Sequence, residues 1–203
     1  MTTFSSDIAF TPAVKAIQAA KGSRSSYARM ETGAGWPTAV TPELEKFLSE
    51  LDMFYLGTSS AAGQPYMQYR GGAPGFLKVV DGHPLGFADF GRHRQYVTLG
   101  NLSENPRAFI FLMDYARRRR IKLWGRARVV EDDAELLQQL RDPSYPAQPE
   151  RAILFDIEAW DINCQQHIHP RYSQRQVDAL IEPLQARIDE LEATLRPADR
   201  VPR

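Results

Sequence analysis

The stretch RAFIFLMDYARRRRIKLWGRARVV, residues 107–130, holds two strand patterns and the link between them. Its first part carries the apolar run Ala108, Phe109, Ile110, Phe111, Leu112 and Met113, which reads as a strand buried on both sides. From Ile121 the pattern changes to alternation. Ile121, Leu123, Gly125, Ala127 and Val129 face one way, and Lys122, Trp124, Arg126 and Arg128 the other, as on a half-exposed strand. The residues between, among them Arg117, Arg118, Arg119 and Arg120, are too few for a parallel crossover, which takes about a dozen residues. The two strands are therefore expected to run antiparallel.

Working outward, residues 92–104 are polar with spaced Tyr96, Leu99 and Leu102, a short helix that Asn105-Pro106 would stop. Before it, residues 76–80 and 84–90 read as strands joined by the turn signal Asp81-Gly82, and residues 53–58 and 64–70 as a hairpin about Ala62-Gly63. Thr41-Pro42-Glu43 opens a helix with Leu44, Phe47, Leu48 and Leu51 on one face. Downstream, residues 132–141 predict a helix, 143–149 a proline-rich loop and 152–159 the last strand. In residues 173–195, Val177, Ile181, Leu184, Ile188, Leu191 and Leu195 alternate four and three apart, a heptad seam in which Pro183 should kink or restart the helix. Near the start, Thr11 and Pro12 begin a short helix, and residues 22–38 read as a long surface segment. The economical architecture is mainly β (α+β): a six- to seven-stranded antiparallel barrel with peripheral helices and a C-terminal helix. Residues 1–40 form an N-terminal extension, 41–170 the barrel domain and 171–203 a helical tail.

Composition narrows the function classes. The 203 residues carry 25 basic and 25 acidic side chains, so net charge gives no pull toward nucleic acid or a membrane surface. The only cysteine, Cys164, cannot form an internal disulfide. No run approaches the roughly 20 apolar residues of a membrane span, and the first residues lack the pattern of a secretory signal. A cytoplasmic location is the expectation.

Between residues 59 and 132, five pieces stand in a set order: Ser59-Ser60-Ala61-Ala62-Gly63-Gln64-Pro65; Tyr69-Arg70-Gly71-Gly72 with Pro74-Gly75-Phe76; Phe87-Ala88-Asp89-Phe90-Gly91 leading to Arg94; Asn101-Leu102-Ser103-Glu104-Asn105-Pro106; and Ile121-Lys122-Leu123-Trp124-Gly125-Arg126-Ala127. In that order they resemble the pyridoxamine 5'-phosphate oxidase-like, FMN-binding split-barrel family. Trp160-Asp161-Ile162-Asn163-Cys164 with Gln166-His167-Ile168 is similar to a subgroup of it. The resemblance implies a split barrel, a homodimer and FMN in a cleft at the subunit boundary. Two features depart from the oxidase proper. Tyr69-Arg70-Gly71-Gly72 replaces its lysine-containing flavin strand, and its C-terminal arginine motif is missing. Vitamin B6 oxidation is therefore not carried over.

The resemblance assigns Tyr69, Arg70, Gly71, Ala88, Asp89, Arg94, Arg120, Lys122, Trp160 and Asn163 to the cofactor. Arg70 would supply a cation for the phosphate, with Gly71 and Gly72 letting a ligand approach; the plainer reading is a strand-end arginine beside a bulge. Arg94, and with it Arg92 and His93, could clamp phosphate, while Asp89 accepts from ribityl hydroxyls or orients an arginine; the plainer reading is a charged loop. Arg120 would reach the flavin ring and stabilise negative charge at its N1–C2=O edge, although consecutive arginines usually form a solvated link. Lys122, Trp124 and Arg126 make a stripe that also suits a dimer surface. Trp160 and Asn163, with Cys164 and His167, could close over the ring from the partner subunit; a lone cysteine is more often a small buried hydrophobe. His167 and His169 have no third metal ligand in view.

Four functions compete: an FMN-dependent oxidoreductase acting on an unidentified small molecule, a flavin-binding or sensing module without turnover, a split barrel holding haem or a deazaflavin, and a nucleic-acid binder using the arginine run. The neutral charge and the lack of an aromatic-basic ladder disfavour the last.

Overall fold

A computed structural model describes residues 4–81, 84–91, 94–163 and 165–195, with the backbone alone at Asn163. Seven strands form one antiparallel sheet: β1 (Met53–Ser59), β2 (Pro65–Gly71), β3 (Lys78–Val79), β4 (Leu85–Phe90), β5 (Arg107–Asp114), β6 (Arg119–Val130) and β7 (Pro149–Asn163). Their order is β2-β1-β5-β6-β7-β4-β3. The ladder leaves β2 and β3 at its two ends, yet the sheet curls so that side chains of β2 reach β4. This is the split barrel, closed by side chains where the backbone pairing stops.

Alternation places the core. Phe54 and Leu56 on β1, Ile110 and Leu112 on β5, Ile121 and Leu123 on β6 and Phe155 on β7 are all buried inside. Helix α3 (Pro42–Glu50) plugs one end with Leu44, Phe47 and Leu48. Its start is the one read from Thr41, whose hydroxyl accepts from the Leu44 N–H, with Pro42 in the first turn. Burying three such side chains contributes about 1.5–3 kcal/mol each. At Gly125 the β6–β7 register shifts, and a Cβ there would lie 2.0 Å from the Asp156 carbonyl oxygen, so only glycine fits.

Several elements differ from the sequence reading. Strand β5 is not buried on both sides. Its burial alternates, because Phe109 and Phe111 point outward, where Phe109 packs on Trp124 at 5.2 Å. Within the surface segment of residues 22–38, Arg24–Thr32 forms helix α2, which the sequence reading did not assign. The helix of residues 92–104 begins only at Val97 (α4, Val97–Glu104), because Tyr96 takes a left-handed φ of 54° that cannot continue a helix. The strand of residues 76–80 shrinks to β3, and β7 is much longer than residues 152–159 because it pairs with both β6 and β4. Gly82 of the Asp81-Gly82 turn lies outside the described residues, as do Arg92, His93 and Cys164.

The N-terminal extension docks on the barrel. A 3-10 turn (Ser5–Ile8), α1 (Pro12–Ala20) and α2 surround Glu31, whose side chain is 1% exposed and is held by Arg24 and, at 3.4 Å, Lys15. Trp36 then stacks on the outward ring of Trp124, centroids 4.8 Å apart and 14° between planes. Helix α5 (Ala134–Leu140) covers β4 and β7 with Leu136 and Leu140. Helix α6 (Gln174–Leu195) runs on through Pro183 and buries no residue. Among the described residues no helix is long and apolar enough to cross a membrane.

Candidate functional site

Where the two ends of the sheet meet, a cavity of about 310 Å³ opens between β2, β4, the segment before α4 and the start of β7. Each wall has a local cause. The β1–β2 register sets Arg70 opposite Phe54, so Tyr66, Gln68 and Arg70 share the inward face. The β4–β7 register sets Asp89 opposite Arg151. Helix α4 is pinned to the barrel by Thr98, which donates to Gln68 Oε1 at 2.7 Å, and by Asn101, which donates to Thr58 Oγ1 at 3.0 Å.

Asp89 is the electrostatic hub. Its side chain is 6% exposed and accepts from Arg70 on one oxygen and from Arg151 Nη1, at 3.2 Å, on the other. Arg151 also reaches Glu131 at 3.1 Å and Glu150 at 2.8 Å. Burial works against its charge, but the hydrogen bond and the charge of Asp89 outweigh this and hold its pKa above the ordinary value. The Arg70 guanidinium lies over the Phe87 ring at 5.6 Å, and its Nε is buried with no protein partner. Arg94 is exposed at the mouth and has no carboxylate partner among the described residues.

Six of the ten assigned residues line this cavity: Tyr69, Arg70, Gly71, Ala88, Asp89 and Arg94. Both glycines of the Gly71-Gly72 pair lie against rings of the protein. A Cβ at Gly71 would sit 2.9 Å from the Tyr69 ring, and one at Gly72 would sit 2.5 Å from Phe76.

The other four lie on β6 and β7. Arg120 is the register partner of Asn163, and its Nε is also buried without a partner. Lys122 pairs with Asp161 at 3.5 Å and lies over Trp124 at 5.3 Å. Burial raises the Asp161 pKa, with Lys122 opposing. Trp160 is buried; its indole N–H donates to the Ala39 carbonyl at 2.9 Å. The Asn163 side chain is outside the described residues. The arginine run disperses: Arg117 pairs with Glu50, and Arg119 lies over the Phe47 ring at 5.2 Å.

Arg151 is the residue that sequence reasoning missed. It belongs to the cavity through a cross-strand pairing 62 residues distant, and nothing beside it in the chain marks it.

Residues 40–164 match the model of the pyridoxamine 5'-phosphate oxidase family. No curated protein matches the sequence. Among solved structures, HupZ of Group A Streptococcus is 16% identical with a TM-score of 0.47, over 65% of this chain and 99% of that one. A pyridoxamine 5'-phosphate oxidase-related, FMN-binding protein of Nostoc punctiforme is 15% identical with a TM-score of 0.46, over 62% and 85%. HutZ, the haem storage protein of Vibrio cholerae, is 17% identical with a TM-score of 0.42, over 61% and 94%.

Proposed function

This chain belongs to the pyridoxamine 5'-phosphate oxidase family, and from that premise we propose that it binds FMN at the Arg70–Asp89–Arg151 cavity and works as a cytoplasmic, homodimeric flavin-dependent oxidoreductase on a small molecule. The observation that carries the reading is the charge arrangement at the cavity. Three arginines and two carboxylates line it. Arg70 and Arg151 are committed to Asp89, which fixes their guanidinium planes, and this leaves Arg94 at the mouth to meet a phosphate. The buried Arg70 Nε is a further donor without a protein acceptor, which fits an anionic or hydroxyl-bearing ligand.

Bound flavin supplies hydride and electron transfer. The chain's own residues bind and orient. Arg94 neutralises phosphate charge, Asp89 holds two arginines in place, and Tyr66, Gln68 and Thr98 offer polar groups along the wall. Arg120, Lys122, Trp160 and Asn163 lie away from the cavity within the chain, so in this reading Arg120 and Lys122 act on the ring from the partner subunit, and Trp160 supports their strand from inside.

Titration with FMN and with riboflavin tests the phosphate role. Arg94→Ala is expected to weaken FMN about 10- to 100-fold, the worth of one charge-assisted hydrogen bond, and to leave riboflavin nearly unchanged. Equal loss for both ligands would remove Arg94 from the phosphate site.

A further inference from the structure

Helix α6 carries an unpartnered apolar stripe. Val177 is half-buried, but Ile181, Leu184, Ile188, Leu191 and Leu195 are 43–77% exposed. Monomeric proteins rarely leave a contiguous stripe of this kind in water. The barrel of the same chain does not cover it.

We propose that α6 pairs with α6 of a second copy of this chain as a parallel, in-register, two-stranded coiled coil. Three features of the seam choose this occupant. First, its residues fall on heptad positions with isoleucine at a (Ile181, Ile188) and leucine at d (Leu184, Leu191), the combination that favours two parallel strands over three or four. Second, one pair of flanking charges is complementary in that arrangement. Arg187 occupies g and Glu192 the e position five residues on, so each Arg187, which in the single chain pairs with Glu190 one turn on, faces the other copy's Glu192 across the seam, twice by symmetry. Third, Pro183 falls at c. The hydrogen bond that it cannot make, to the Ala179 carbonyl at f, is lost on the side away from the seam, so the helix keeps its contact face through the proline. The helix has 22 residues, about three heptads, enough to hold a register when the attached barrels raise the local concentration of tails. The pairing requires no flavin, so it stands or falls separately from the proposed cofactor.

The test uses the full chain in a Cys164→Ser background, with one thiol returned to the helix. In the parallel arrangement Leu191→Cys places two d-position thiols within disulfide reach across the seam. Ala186→Cys, at f, places them on opposite outer faces. Because α6 buries nothing against the barrel, neither change should disturb folding, which thermal melting checks. Under mild oxidation Leu191→Cys is expected to form a covalent dimer at least about 10-fold faster than Ala186→Cys, as proximity raises effective concentration. Equal rates, or no covalent dimer from Leu191→Cys, would overturn the pairing. A mixture of Ile181→Cys and Leu191→Cys chains that cross-links faster than Leu191→Cys alone would show antiparallel tails and overturn the arrangement.

Discussion

The two ends of the chain make an instructive contrast. Residues 4–36 lack an obvious apolar period in their second half, being rich in serine, glycine and charge, yet they fold onto the barrel with Trp36 only 9% exposed. Residues 174–195 have a regular heptad pattern, yet Leu195 is 77% exposed. The difference lies in what each end finds to pack against. The N-terminal helices enclose Glu31 among Arg24, Lys15 and Ser6, and one large ring then meets the outward Trp124. The C-terminal helix presents an exposed apolar stripe, and its own barrel buries none of its residues. Periodicity says that a face will be buried, and it does not say by whom.

The contrast can be broken at its strongest contact first. Trp36→Ala removes the stacked ring over Trp124 and is expected to cost about 3–5 kcal/mol. Urea denaturation should show the loss, and limited proteolysis should then cut within residues 4–36 before the barrel. A barrel and extension that melt together as in the parent chain, with the same midpoint, would mean that the stacking does not hold the extension.

Glu31→Gln comes next. It removes a buried carboxylate from two cations and leaves Arg24 and Lys15, both partly exposed, to turn to water, so about 1–3 kcal/mol is expected. The same carboxylate gives the extension a pH dependence. Burial would raise its pKa, but the Arg24 hydrogen bond and the Lys15 charge outweigh burial and hold it below its ordinary value of 4.5. A depressed carboxylate stabilises the fold above its unfolded pKa and loses that contribution as pH falls through the folded one. Asp7, depressed mainly by its hydrogen bond from Lys15, acts in the same sense. Proteolytic release of residues 4–36 should therefore begin only below about pH 4.5, and Glu31→Gln should flatten that dependence. Release that increases toward alkaline pH would contradict the sign.

The smallest effect is expected at the other end. Ile188→Asp should change the melting of the barrel by no more than about 0.5 kcal/mol, because α6 contributes no buried residue to it, while abolishing the covalent dimer of the Leu191→Cys chain. A large loss of barrel stability would show that the helix is not free of the body.

Much of the barrel was legible because its signals are local. The alternation of Ile121 to Val129, the Thr41-Pro42 helix start and the short link at Arg117 to Arg120 each need only neighbouring residues to be read. What was misread depends on distant partners. Phe109 and Phe111 looked doubly buried because an outward phenylalanine is indistinguishable in sequence from an inward one. Arg151 was invisible because only the β4–β7 register brings it to Asp89. The family resemblance supplied six cavity residues that patterning alone could not have selected, and it gave no sign that Tyr69 and Phe76 lie against Gly71 and Gly72.

The most direct measurement for the proposed function is the visible absorption spectrum of the purified protein, taken with and without added FMN and followed by heat release and chromatography of the chromophore. The expected result is the two-band spectrum of oxidised flavin, with FMN as the released species. A single intense Soret band, or a colourless protein that leaves the spectrum of added FMN unchanged, would contradict it.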